Sequence, residues 1–280
     1  MQTMSINMGG RLMDLSQPRV MGILNATPDS FYDGSRQQTE ADIARRAVEI
    51  VEQGGDIIDV GACSTRPGAQ VADEAEEMER LKNALTVIRR ELPDALLSVD
   101  TFRPDVARMA VEEYGVAMVN DVSEGHCGGV VGGAHQTTET TACPPMFQMV
   151  ARLRVPYILM SVVGTMEQML LSFAREVQML RALGQKDIIL DPGFGFGKTL
   201  DDNYAVMRQL DRLLTLGLPL LVGVSRKSMI WKLTGSTPAE ALNGTTVLHT
   251  LALQKGASLL RVHDVREAVE TIRIWTMARP

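Results

Sequence analysis

No excess of positive charge runs through this sequence: 28 Lys and Arg stand against 34 Asp and Glu, a formal net charge of −6. A chain without a global positive field does not gather nucleic acid or anionic lipid, so any anionic ligand must be held by a local cluster. Nor does any apolar run approach the roughly 20 residues of a membrane span. Residues 1–17 lack the uninterrupted apolar core of a signal peptide, which leads to the expectation of a cytoplasmic protein. Only three cysteines occur, Cys63, Cys127 and Cys143. An odd number at irregular spacing suits reduced thiols better than a disulfide framework. What is present is globular: 45% hydrophobic and 22% charged residues exclude a disordered chain. No linker or shift of composition divides the 280 residues, so one domain spanning 1–280 is expected.

Short β-branched or Leu-rich runs recur at 20–24, 56–60, 95–99, 116–119, 157–160, 187–190, 219–222 and 258–262, each followed by a segment of helical period. Their ends lie on average about 34 residues apart, close to one βαβ unit. Between them, Thr39 and Asp42 form the pattern of a capping box before Ile43, with Gly54 as the stop. The stretch 73–92 places Met78, Leu81, Leu85, Ile88 and Leu92 on one face behind an acidic first turn, and Pro104 and Asp105 open a short third helix. Nearly continuous apolar strands alternating with helices indicate a parallel sheet buried on both faces. Eight such units predict an α/β fold, a closed (β/α)8 barrel, with an open doubly wound sheet as the competing architecture. Residues 1–17 precede the first unit and are expected to form a short hairpin or plug.

In a barrel the active site is built where the strands end. The residues after the runs are Asn25, Gly61, Asp100, Asn120, Ser161, Asp191, Gly223 and His263. Asp accepts N–H bonds while Asn both donates and accepts, so these ends predict a ring that holds hydrogen-bonding edges. For any one of them the plain alternative is a cap on the following helix. The eighth unit carries Arg261 and His263, which strand period 2 points to the same side, with Asn25 next door around a closed barrel: a natural site for a phosphate or diphosphate. Two long polar loops follow the first two strands. Residues 25–34 include Phe31, and residues 61–68 include Thr65, Arg66 and Pro67 between glycines; such loops commonly act as lids, although an Arg there can equally be a solvated charge. Residues 191–199 come close to a phosphate loop, but Pro192 stands where the G-x-x-x-x-G-K-[ST] spacing needs Gly. The glycines are better read as letting the backbone lie flat beside a planar ligand. Lys227 stands ready to neutralise an anion or cover a ring.

Taken together, the segments 21–31, 59–68, 98–101, 120–121, 191–198, 225–228 and 261–264 resemble dihydropteroate synthase, in the right order and across nearly the whole chain. The resemblance implies a barrel enzyme of folate synthesis that joins 6-hydroxymethyl-7,8-dihydropterin diphosphate to p-aminobenzoate and releases diphosphate, with Mg²⁺. Carried over residue by residue, it implies that Asp100, Asn120 and Asp191 bind the pterin edges in a pocket lined by Met160, Phe196, Gly223 and Lys227. Asn25, Arg261 and His263 would take the diphosphate, with Mg²⁺ near Asn25. Thr65, Arg66, Pro67 and Ser228 would approach p-aminobenzoate, with the loop bearing Phe31 closing over it. A homodimer is implied by the family alone.

The chain departs from the family pattern in two places. Ser161 stands where the family usually has His, before a short loop, and this predicts a looser, wetter pocket with lower activity. Residues 124–145 form a longer Gly/Thr-rich connection holding His126, Cys127, His135 and Cys143, whose spacing matches no compact zinc pattern. Cys63, inside the second loop, is read as a passive small side chain, with a reactive thiol as the alternative, and His249 as a structural residue within a helix. Two other functions are carried alongside the synthase: a non-catalytic pterin-binding barrel and a pterin-dependent methyl-transfer module. Arg261 with His263, and the 64–66 segment, speak against the last, because a methyl carrier needs neither a diphosphate nor an aminobenzoate site.

Overall fold

The computed structural model describes residues 4–26, 36–63, 72–126 and 143–279. The expected hairpin is present: β1 (Ser5–Met8) and β2 (Arg11–Asp14) pair antiparallel, Ser5 opposite Asp14. They are joined by Gly9 and Gly10, both at positive φ, which gives the two-residue turn that matches strand twist. Alternation turns Ile6, Met8 and Met13 inward and leaves Leu12 79% exposed.

Eight parallel strands follow: β3 (Arg19–Asn25), β4 (Ile57–Gly61), β5 (Leu97–Asp100), β6 (Met118–Asp121), β7 (Tyr157–Met160), β8 (Ile188–Asp191), β9 (Leu221–Val222) and β10 (Leu259–Val262). Each falls on one of the eight apolar runs. The sheet runs β8-β7-β6-β5-β4-β3-β10-β9, and a parallel bridge between Leu190 and Leu220 closes it. Leu190 N–H donates to the Pro219 carbonyl at 2.9 Å at that seam. The barrel, rather than the open sheet, is the architecture.

The helices are α1 (Arg36–Glu52), α2 (Glu74–Glu91), α3 (Pro104–Tyr114), α4 (Pro145–Leu153), α5 (Met166–Ala182), α6 (Leu200–Arg208), α7 (Ser228–Thr234), α8 (Leu242–Gln254) and α9 (Val265–Ala278), with a 3-10 helix at Leu210–Leu216 after α6. Asp73 caps α2 by accepting from Glu76 N–H, and Thr199 with Asp202 forms a full capping box on α6. The predicted start of the first helix is corrected. It begins at Arg36, so Thr39 lies inside it; Arg36, Gln37 and Gln38 are good helix formers and carry the helix past the cap pattern. The crossover from β9 to β10 contains two helices, α7 and α8, not one. Among the described residues no helix is long and apolar enough to cross a membrane.

Strand alternation sorts the side chains into three sets. Val20, Leu24, Ile58, Val60, Leu97, Val99, Val119, Leu159, Leu190, Val222, Leu260 and Val262 face outward into one apolar shell beneath the helices. On the inner face, Met21, Ile57, Met118, Ile158, Ile189, Leu221 and Leu259 form a floor that the hairpin covers with Ile6, Met8, Met13 and Leu15. Each such fully buried chain contributes about 1.5–3 kcal/mol of transfer free energy. Further along the strands the inward positions turn polar, beginning with Asp59, Ser98, Asn120, Asp191 and Arg261.

Candidate active site

The polar set lies at the C-terminal ends of the strands. Asp59, two residues before the end of β4, is fully buried, and its Oδ2 accepts from Arg261 Nε at 2.6 Å and from Asn120 Nδ2 at 3.0 Å. Its Oδ1 has no hydrogen-bond partner among the described residues. Arg261 Nη2 also donates to Asp100 Oδ2 at 2.5 Å. Because β3 and β4 stand between β10 and β5 in the ring, the Arg261 side chain crosses the barrel to reach Asp100. Burial would lower the pKa of this guanidinium, but Asp59 and Asp100 outweigh it and raise the value. Burial pushes the Asp100 carboxyl up, Arg261 pulls it down and Asp59 pushes it up again, and the balance lies above the ordinary carboxylate value.

Asp191, at the end of β8, is likewise raised by burial, against Lys227 and the Gly193 N–H that donates to its Oδ1 at 2.8 Å. Lys227 Nζ donates to the Phe194 carbonyl at 2.5 Å and sits 4.7 Å from the centroid of the Phe196 ring. Burial lowers Lys227 to about 8, with Asp191 opposing the shift. A Cβ on Gly223 would come 3.8 Å from both Lys227 Nζ and Arg261 Cβ, so the absence of a side chain keeps space beside both cations. Met160, Phe102 and Val122 form a small apolar wall at this end, with Cys63, Val162 and Phe196 packed against it. Carboxylate and amide acceptors, two cations and an apolar wall thus surround one mouth. A planar ring with N–H edges and an attached anion finds partners for each part there.

Asn25, half-buried at the end of β3, is adjacent to β10, as the closed barrel required. His263 is positioned through its backbone: its N–H donates to Ser225 Oγ at 3.1 Å, and its carbonyl accepts from Arg46 Nη2 at 2.6 Å. Ser228 is the first residue of α7, with Lys227 at the N-cap. Phe31, Thr65, Arg66 and Pro67 lie outside the described residues, as do Cys127 and His135. The borders of the second loop are held: Arg80 donates to the Ala62 carbonyl at 3.3 Å, and Arg103, paired with buried Glu77, donates to the Ala72 carbonyl at 2.6 Å.

In the sixth unit Lys198 Nζ donates to the carbonyls of Ser161 (3.0 Å), Gly193 (3.0 Å) and Phe196 (3.2 Å), which ties the short loop after β7 to the loop after β8. The glycines also serve the protein itself. Gly193 has φ +67, and a Cβ there would stand 2.1 Å from the Ser161 carbonyl oxygen. At Gly195 a Cβ would come 3.2 Å from the Lys227 chain. Cys63 is passive as expected: burial and the neighbouring Glu77 push its thiol up. His249 is 2% exposed inside α8, a structural residue as expected.

The sequence reading missed Asp59 and Asp121 as organising residues. Asp121 accepts from Ser123 N–H (2.7 Å), Gly125 N–H (2.8 Å) and Tyr157 Oη–H (2.6 Å), and so shapes the turn after β6. For Asp59 a signal existed: a carboxylate inside an otherwise apolar strand, in phase with Gly61.

The family described as pterin binding enzyme matches residues 21–263 of this chain. The dihydropteroate synthase of Escherichia coli (strain K12) is 35% identical over 280 residues, covering 95% of this chain and 93% of its own. That of Synechocystis sp. is 39% identical over 271 residues, covering 91% and 88%. The chain belongs to the dihydropteroate synthase family. Among solved structures of that family, Xanthomonas albilineans dihydropteroate synthase with 4-aminobenzoic acid superposes with a TM-score of 0.87 at 35% identity, covering 100% of both chains. The enzyme of the same organism in complex with 7,8-dihydropteroate superposes with a TM-score of 0.84 at 33% identity, covering 99% of this chain and 100% of its own. The dihydropteroate synthase family therefore accounts for the barrel and the hairpin as well as the order of the strand-end motifs.

Proposed function

We propose that this protein condenses 6-hydroxymethyl-7,8-dihydropterin diphosphate with p-aminobenzoate to give 7,8-dihydropteroate and diphosphate. The observation that carries this is the cluster that Asp59, Asp100, Asn120, Asp191 and Arg261 form at the strand ends, with Lys227 beside them, in a chain 35–39% identical to dihydropteroate synthases. Asp100, Asn120 and Asp191 hold the N–H and C=O edges of the pterin, with Met160, Phe196, Gly223 and Lys227 around the ring. The C–O bond to diphosphate breaks, the amine nitrogen bonds to the exocyclic CH₂, and the amine loses a proton. The developing cation is shared with the pterin ring, and the arylamine attacks without prior deprotonation. The task of the protein is therefore to orient the reactants and stabilise the leaving group. Arg261, His263 and Asn25 receive the diphosphate; Phe31, Thr65, Arg66, Pro67 and Ser228 receive p-aminobenzoate.

Among the described residues no three His, Cys, Asp or Glu converge on one point. Asn25 would hold Mg²⁺ arriving with the diphosphate through its amide oxygen, as suits an ion that takes few protein ligands and keeps several waters. When bound, it supplies charge neutralisation on the departing diphosphate. A homodimer is part of this reading, as the resemblance implies; Val247 (50% exposed) and Leu251 (40% exposed), one turn apart on α8, offer apolar surface for it.

The decisive experiment is a coupled assay of diphosphate release from the pterin diphosphate with and without p-aminobenzoate. Release that depends on p-aminobenzoate is expected. Pterin binding without release in any condition would favour a non-catalytic pterin-binding barrel. Lys227 adds a pH signature. Its lowered pKa means that the ammonium is present below about 8 and lost as the pH rises through that value. The rate should fall on the alkaline side, and Lys227→Arg, which stays charged, should remove that limb.

A further inference from the structure

We propose that Arg261 is a placeholder for the pterin in the unliganded site, held permanently by Asp59 and exchangeably by Asp100, so that arrival of the pterin turns Arg261 toward the diphosphate. This rests on the reading above, in which Asp100 serves the pterin and Arg261 the leaving group. The geometry is that of a substrate already in place. The guanidinium is planar, crosses the barrel from β10 and donates N–H groups to carboxylates on β4 and β5. The pyrimidinone edge of a pterin contains the same N–C(NH₂)–N unit and presents the same kind of donors to the same kind of acceptor.

The two carboxylates differ in the way exchange requires. Asp59 is fully buried and fixed by Asn120, whereas the side chain of Asp100 is 20% exposed at the rim. The second oxygen of Asp59, buried and without a partner among the described residues, gives Arg261 another acceptor on which to pivot. In the exchanged state Asp100 accepts from the pterin and Arg261 pairs with Asp59 through two of its five N–H groups, which leaves three for phosphate oxygens. No buried carboxylate is stranded at either stage, and stranding one is the costly alternative. Asp59 is thus a positioning residue: it acts on the leaving group through Arg261 and on the pterin through Asn120.

The consequence is positive coupling between the two halves of one substrate site, readable by calorimetry with inorganic diphosphate and 6-hydroxymethyl-7,8-dihydropterin, each alone and each in the presence of the other, in Mg²⁺ buffer. Diphosphate is expected to bind about 10-fold more tightly once the pterin is present, and the pterin to gain the same factor from diphosphate. Asp100→Asn, which weakens the hold on Arg261, should tighten binding of diphosphate alone and reduce the coupling to about 1-fold. Asp59→Asn should lower kcat for the pterin diphosphate far more than it raises KM, a split that a merely structural role would not give. Equal diphosphate affinity in the unmodified protein with and without bound pterin would overturn the proposal and leave the synthase reading standing. Coupling that persists undiminished in Asp100→Asn would also overturn it. Absence of pterin binding together with absence of p-aminobenzoate-dependent diphosphate release is the distinct signature of failure of the synthase reading itself.

Discussion

The two ends of the barrel interior are made by the same strands with the same alternation, and they do opposite work. At the floor, Met21, Ile57, Met118, Ile158, Ile189, Leu221 and Leu259 meet each other and the hairpin in one apolar cluster. Two residues further along, β4 and β10 replace Ile57 and Leu259 by Asp59, fully buried, and Arg261, half-buried, which pair with each other. Burying the floor stabilises the fold directly. The mouth costs desolvation of several charges, which is recovered only while each keeps a partner. The floor holds the strands in place so that charged groups at the mouth can be kept in fixed positions, and those positions are what a leaving anion and a planar ring require.

The largest effect that should separate the two ends is that of Arg261→Ala. Removing the cation at the leaving group is expected to lower kcat/KM by about 1000-fold. It should also lower stability by about 3 kcal/mol, because Asp59 and Asp100 lose their common partner. Diphosphate release and a denaturant melt measure the two losses. Leu259→Ala, one inward position earlier on the same strand, should cost a similar 2–5 kcal/mol in the melt and leave KM for both substrates unchanged. A large change in KM would show that floor and mouth are not separable.

A third test uses pH and the outer wall. His249 is buried in α8, and burial lowers its pKa to about 4 from the ordinary 6.5. The unfolded chain therefore takes up the proton first. Stability is full above about pH 6.5 and is lost as the pH falls toward 4, by up to about 3 kcal/mol, a loss that His249→Gln should remove. Melts from pH 7.5 to 4.5 on both proteins check it. Gly193→Ala should cost about 2 kcal/mol and weaken pterin binding, since its Cβ would force apart the ends of β7 and β8. At the small end, Leu12→Ser on the outer face of the hairpin should change stability by no more than about 0.5 kcal/mol, while Ile6→Ser on its inner face costs several times as much.

Much of this was legible in the sequence, for a physical reason. Strands buried on both faces must be continuously apolar, so each of the eight showed as a run, and the residue ending each run had to lie at the mouth. Asn25, Asp100, Asn120 and Asp191 are placed at the mouth in that way, and Lys227 by the loop that follows the seventh run. What the sequence hid are the lateral pairings. Asp59 is 202 residues from Arg261, and nothing local says that a carboxylate on the second barrel strand will grip a guanidinium on the last. Arg261 shows the same limit: its place at a strand end marks it for a phosphate, but nothing near it in sequence shows that Asp59 and Asp100 both accept from it. Lys198 is another pairing that the sequence hid: setting the phosphate loop aside on Pro192 left the lysine without a role, and the fold gives it three backbone carbonyls. The start of α1 was misplaced because a capping pattern and good helix-forming residues lay side by side, and the latter prevailed.

The hairpin bears on how the chain reaches this state. Ile6 and Met8 precede every barrel strand in the chain, yet they belong to the same apolar cluster as Leu221 on β9 and Leu259 on β10, the last two strands to be made. Until the last strand has been made, the inner face of the hairpin has no finished surface to cover and remains exposed to water and to other chains. Contacts of such long sequence separation also make folding slow. The hairpin thus waits for all eight barrel strands before its docking site exists, and sealing the floor belongs among the final events of folding.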